Sequence, residues 1–63
     1  GSTGVRVAPA KGGVNIASFT DTPVRIYTPS GELVRTLTAI PTPIFVSLEK
    51  GIYLIGHQKY YVE

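Results

Sequence analysis

Apolar and polar residues alternate along this chain with a period of two. Val5 and Val7 flank Arg6, Val14 and Ile16 flank Asn15, and Val24 and Ile26 flank Arg25. On an extended backbone that spacing collects the apolar side chains on one face, which is the pattern of a half-buried strand. Four more runs follow, at residues 33–37, 44–48, 51–55 and 58–62, and in the second of these Ile44, Val46 and Leu48 share a face. No window carries apolar residues at i, i+3, i+4 and i+7 without also containing glycine or proline, so no significant helix is predicted.

Turn residues separate the runs at short, regular intervals, as an antiparallel sandwich or barrel requires. Lys11-Gly12-Gly13 is suited to reverse the chain between the first two strands, and Asp21-Thr22-Pro23 breaks the next pair. Thr28-Pro29-Ser30-Gly31 fits a type I turn, with proline where φ is already set near −65° and glycine at the fourth position. Pro41 and Pro43 lack a backbone donor, so residues 39–43 are expected to cross between sheets or lie along an edge. Gly56-His57-Gln58 forms a tight link between the last two strands. The expected fold is all-β: a small antiparallel β-sandwich of immunoglobulin-like or Greek-key type with about seven short strands. Residues 1–4 are small and polar and read as a linker, which leaves residues 5–63 as a single domain.

Length and composition narrow the range of functions. A chain of 63 residues holds one domain, and 43% hydrophobic residues with 16% charged ones is the balance of a chain that packs a core. With no cysteine, neither a disulfide framework nor a thiolate zinc site supports that core. Mass scaling gives a folded surface of roughly 4,000 Å² and burial of about 60%, the low end for domains. Marginal stability alone, and a natural role as a module of something larger or docked to a partner, are the expectation. Residues 44–62 are the most hydrophobic part and hold three of the four tyrosines, so the core is completed only when the C-terminal strands dock.

Catalytic chemistry has little material to work with. The single histidine, His57, falls in a turn, and the acids Asp21, Glu32, Glu49 and Glu63 fall at strand ends with no paired spacing. Ser2, Ser18, Ser30 and Ser47 lie in no nucleophile motif, and Gly12-Gly13 is followed by neither the Lys-Ser/Thr nor the helix of a phosphate loop. No enzyme activity, cofactor or metal is therefore expected. The net charge of +2 comes from six Lys and Arg residues spread singly, which argues against nucleic acid as a partner. No apolar run reaches the length of a membrane helix, and a signal for export would lie upstream. Among the aromatic residues, Tyr60 and Tyr61 must point to opposite faces, so at least one points inward. Tyr27 and Tyr61 with Arg25 and Lys59 make an outward face for glycan or protein contact if their strands are neighbours. Short strands also leave sheet edges that a partner strand can extend, with Pro23, Pro43 and Lys59 placed to limit unwanted pairing. Ordinary strand termination and solubility explain the same three residues.

Several of these segments together resemble a known family. Val24-Arg25-Ile26-Tyr27, then Gly31 and Val34, then Leu48 to Ile55 with Gly51 and Tyr53, and finally Lys59 to Val62, are similar to the C-terminal sorting domains of the type IX secretion system. The resemblance covers nearly all of residues 5–63. It implies a small antiparallel sandwich with no catalytic residue, at the end of a cargo protein exported through the periplasm to the cell surface of Bacteroidetes-type bacteria. The implied partners are the secretion machinery at the outer membrane and an upstream cargo domain of the same chain. Carried onto this sequence, the implied recognition residues are Gly51, Tyr53, Lys59, Tyr60, Tyr61 and Val62. The alternative is a surface module retained on the mature protein for protein or carbohydrate binding.

Overall fold

Seven strands form where the alternation predicts them: β1 (Val5–Ala10), β2 (Gly13–Ser18), β3 (Thr22–Tyr27), β4 (Leu33–Ala39), β5 (Ile44–Ser47), β6 (Gly51–Ile55) and β7 (Gln58–Val62). This computed structural model describes residues 4–63; residues 1–3, most of the expected linker, lie outside the described residues. Gly4, the last residue of that linker, sits against the Phe19 ring. The strands build two antiparallel sheets, one of order β1-β2-β5 and one of order β4-β3-β6-β7. This is the immunoglobulin-like arrangement with one change: in the constant-type layout the fourth strand joins the first, second and fifth, whereas here β4 pairs with β3. The segment between β4 and β5 passes from one sheet to the other, as its two prolines predict.

The inward faces form one core. Val14 and Ile16 of β2, Val24 and Ile26 of β3, Ala39, Val46, Leu48, Tyr53, Ile55 and Val62 are buried together, and Val5, Val7, Leu37, Ile44 and Tyr60 pack around them. Half of the buried cluster comes from residues 46–62, as the hydrophobicity of that region predicts. The surface of 4334 Å² exceeds the mass-scaled figure, because a two-layer sandwich this small exposes both outer faces and four strand edges. At one of those edges, β4, the register sets Arg35 opposite the fully buried Ile26 and so turns it to the inner side. Its guanidinium reaches across the gap and donates to the Ser47 carbonyl at 3.1 Å, linking the two sheets where the apolar core runs out. A charge pointing inward on an edge strand also discourages pairing with another chain.

Turn geometry matches most expectations and corrects some boundaries. In the 28–31 turn the Gly31 amide donates to the Thr28 carbonyl at 2.9 Å, and the Glu32 amide donates to the Thr28 hydroxyl at 3.1 Å. After this turn β4 carries one extra residue, Val34, in its pairing with β3. Between β6 and β7 only Gly56 and His57 link the ladder, since Gln58 already pairs with Ile55. Gly56 has φ 65° and His57 is not in the positive region, which is the type II′ pattern that suits a twisted hairpin. Thr22 and Pro23 do not break the chain; they open β3. Gly13 likewise belongs to β2, where a Cβ would collide with the Val46 carbonyl of β5, so glycine is what lets those two strands approach.

The two ends of the sandwich are built differently. At one end the Gly12 amide donates to the Glu63 carbonyl at 3.1 Å, and the Leu48 amide donates to the Gly12 carbonyl at 2.9 Å. The β1–β2 turn thereby fastens both the end of β5 and the end of β7. At the other end the Ser18 amide donates to the Ile40 carbonyl at 2.9 Å, and the buried Ser18 hydroxyl shares a hydrogen bond of 3.0 Å with Thr22. Beside that last contact β3 runs on past β6, whose pairing with it stops at Ile26 opposite Ile55.

Candidate functional site

The six residues singled out in the sequence lie on the β6–β7 hairpin but divide between core and surface. Gly51 opens β6 with φ 156°, a backbone that side-chain-bearing residues rarely adopt. Tyr53 is only 7% exposed, and its hydroxyl donates to the Glu49 carbonyl at 2.8 Å. A tyrosine near the start of the sixth strand that bonds to backbone a few residues upstream is the tyrosine corner of β-sandwiches. It pins the chain where it passes from β5 to β6. Val62 is fully buried, and Tyr60 is half-buried on the same inward face, with its hydroxyl donating to the Gln58 side-chain oxygen at 3.0 Å. A contact role for the Tyr53 and Val62 side chains does not fit the folded domain, since both are consumed by packing. Lys59 and Tyr61 point outward, and Tyr61 is 63% exposed.

The outward pair belongs to a larger surface. Register places Tyr27 opposite Leu54, Leu54 opposite Lys59, and Ile52 opposite Tyr61, so these side chains share the outer face of the four-stranded sheet with Arg25. β6 separates β3 from β7; the strands of Tyr27 and Tyr61 are therefore not neighbours, yet Leu54 and Ile52 bridge them into one face. Leu33, Val34, Ile52 and Tyr61 are the large exposed apolar residues here. The other sheet presents a different surface: Ala8, Asn15 and Gly13 lie along it, with the Phe45 ring against Gly13.

No grouping of acids and histidine capable of holding a metal ion occurs among the described residues. The four acids are all exposed, as is His57 in its turn. No helix among the described residues is long and apolar enough to cross a membrane. Comparison with known proteins finds no matching family model, no matching curated protein and no matching solved structure.

The sequence pattern missed a further feature at the end where β3 outruns β6. A cleft of about 490 Å³ opens there, lined on the inner side by Val5, Val7, Val24 and Ile55 and toward the outside by Arg25 and His57. It arises from the register between β3 and β6, strands distant in sequence. Local alternation carries no signal for it.

Proposed function

We propose that this chain is a non-catalytic sorting or anchoring domain that directs an attached cargo to the cell surface through the type IX secretion system. The reading rests on the resemblance, and the observation that best supports it is the placement of β7. This strand is the edge of the four-stranded sheet, sets Lys59 and Tyr61 outward, and is locked in place by the bond from Gly12 to Glu63. A receptor that reads this strand reads a folded domain, because Val62 and Tyr60 of the same strand help close the core. Main-chain groups along the free edge supply affinity, and Lys59 and Tyr61 supply selectivity.

The test is a fusion of residues 5–63 behind a signal peptide and a fluorescent reporter, in a bacterium carrying the type IX machinery, scored by protease access at the surface. The proposal expects the intact fusion at the surface and a deletion of residues 60–63 retained in the periplasm. Retention of both, with the intact domain folded, overturns it. The outward row of exposed Ile52, half-buried Leu54 and exposed Tyr61 favours a second reading, a module kept on the mature protein that docks to a protein or glycan surface. Under that reading Tyr61→Ala abolishes binding on a glycan or protein array without altering export.

A further inference from the structure

Alternation of main-chain groups along β3 determines what the cleft offers. The Thr28 amide donates to the Glu32 carbonyl at 2.8 Å, on the β4 side of the strand. One residue earlier, Tyr27 faces β6, where its partner is Leu54. In an antiparallel ladder successive residues present their N–H and C=O to opposite sides, so Arg25 and Pro23 also face the β6 side. The Ile26–Ile55 pairing still turns the Gly56 amide toward the Arg25 carbonyl, but beyond it the β6 chain turns back through His57 and no strand faces the rest. The Arg25 amide and the Pro23 carbonyl are therefore ladder groups without a ladder. The space beside them spans β3 from Thr22 to Val24, about 10 Å at the usual rise of a strand.

We propose that this cleft takes an extended peptide segment of another protein, added as a short strand beside β3, apolar where it faces Val24 and acidic where it faces Arg25. Cross-strand partners share a face, so the guest residue opposite Val24 points down onto Val5, Val7 and Ile55, and the next points outward beside the Arg25 guanidinium. No acid lines the cleft, and Arg25 has no ion-pair partner among the described residues. Its charge is open to a guest carboxylate. The volume lies within the range of built ligand sites. Pro23 supplies no donor, so the guest is held at this edge by the Arg25 amide and the Pro23 carbonyl, which bracket the guest residue opposite Val24. This site is separate from the outward face of β7, and it stands or falls independently of the sorting function.

The test uses the full chain and a dye-labelled peptide, acetyl-Ser-Val-Glu-Val-Ser-amide, read by fluorescence anisotropy. Replacing the peptide Glu by Lys is expected to weaken binding at least tenfold, and Arg25→Glu is expected to reverse that preference. Methylating the peptide amide that faces the Pro23 carbonyl is expected to weaken it at least fivefold. Arg25 is exposed, and a thermal melt checks that the variant folds; if it does not, amide shifts of the unaltered chain on titration decide, with changes expected at Val24, Arg25, Gly56 and His57. Equal binding of the Glu and Lys peptides, no binding of either, or shifts confined to other regions overturns the proposal. A dimer of the chain itself that dissociates on Arg25→Glu also overturns it, in favour of a second copy as the occupant.

Discussion

The two ends of the sandwich solve the same closure problem in opposite ways. At the end holding the β1–β2 turn, two main-chain bonds through Gly12 join the ends of β5 and β7, and the Tyr53 hydroxyl fixes the corner beside them. At the end holding the β6–β7 turn, β3 projects beyond its neighbour and a cleft remains. The difference teaches where this small domain keeps its stability and where it has room to recognise something. Backbone groups at the first end are spent on one another, whereas the Arg25 amide and the Pro23 carbonyl at the second are available.

If that contrast holds, changes at the closed end unfold the chain and changes at the open end alter binding. Deletion of residues 60–63 removes Tyr60, Val62 and the acceptor for Gly12, and is expected to abolish cooperative unfolding in a thermal melt followed by circular dichroism. Next in size, Gly13→Ala sets a Cβ against the Val46 carbonyl and is expected to cost about 3 kcal/mol. In a domain of this length that lowers the melting temperature by roughly 12–24 °C. Tyr53→Phe keeps the ring and loses the bond to Glu49, for a cost of about 1 kcal/mol; a melt within error of the parent removes the corner from the closed end's account. Smallest is Pro23→Ala at the open end, expected to stay within ~0.5 kcal/mol because the residue is exposed. The same change supplies an N–H facing the cleft, so the acidic peptide is expected to bind more tightly by anisotropy.

Much of the fold was legible from the chain because a period of two has few interpretations. Val14 and Ile16, or Val24 and Ile26, can share a face only on an extended backbone, and the proline and glycine of the 28–31 turn specify its geometry locally. Pro23 misled for a physical reason. A proline normally ends a ladder, but this one sits where β3 has no neighbour on the side its nitrogen faces, so the missing donor costs nothing. Tyr53 shows a different limit. Gly51-x-Tyr53 following Leu48 reads equally as a contact motif or as a corner, and only the bond to Glu49 distinguishes them. For Tyr60 and Tyr61 parity required one inward and one outward. The apolar Val62, two residues after Tyr60, already indicated which.

The bond between Gly12 and Glu63 also constrains how the chain is made. Its donor at residue 12 is synthesised well before its acceptor at residue 63, and Val14, Ile16 and Val62 of the shared core are separated in the same way. Contacts of such separation form only after the entropy of closing the intervening loop has been met. While residues 60–63 remain inside the ribosomal tunnel, the strands already outside have neither a finished core nor a tether, and the domain folds only once the last of them has emerged. A polypeptide cut short by premature termination would then never mature, and cellular proteases would meet it as an open chain.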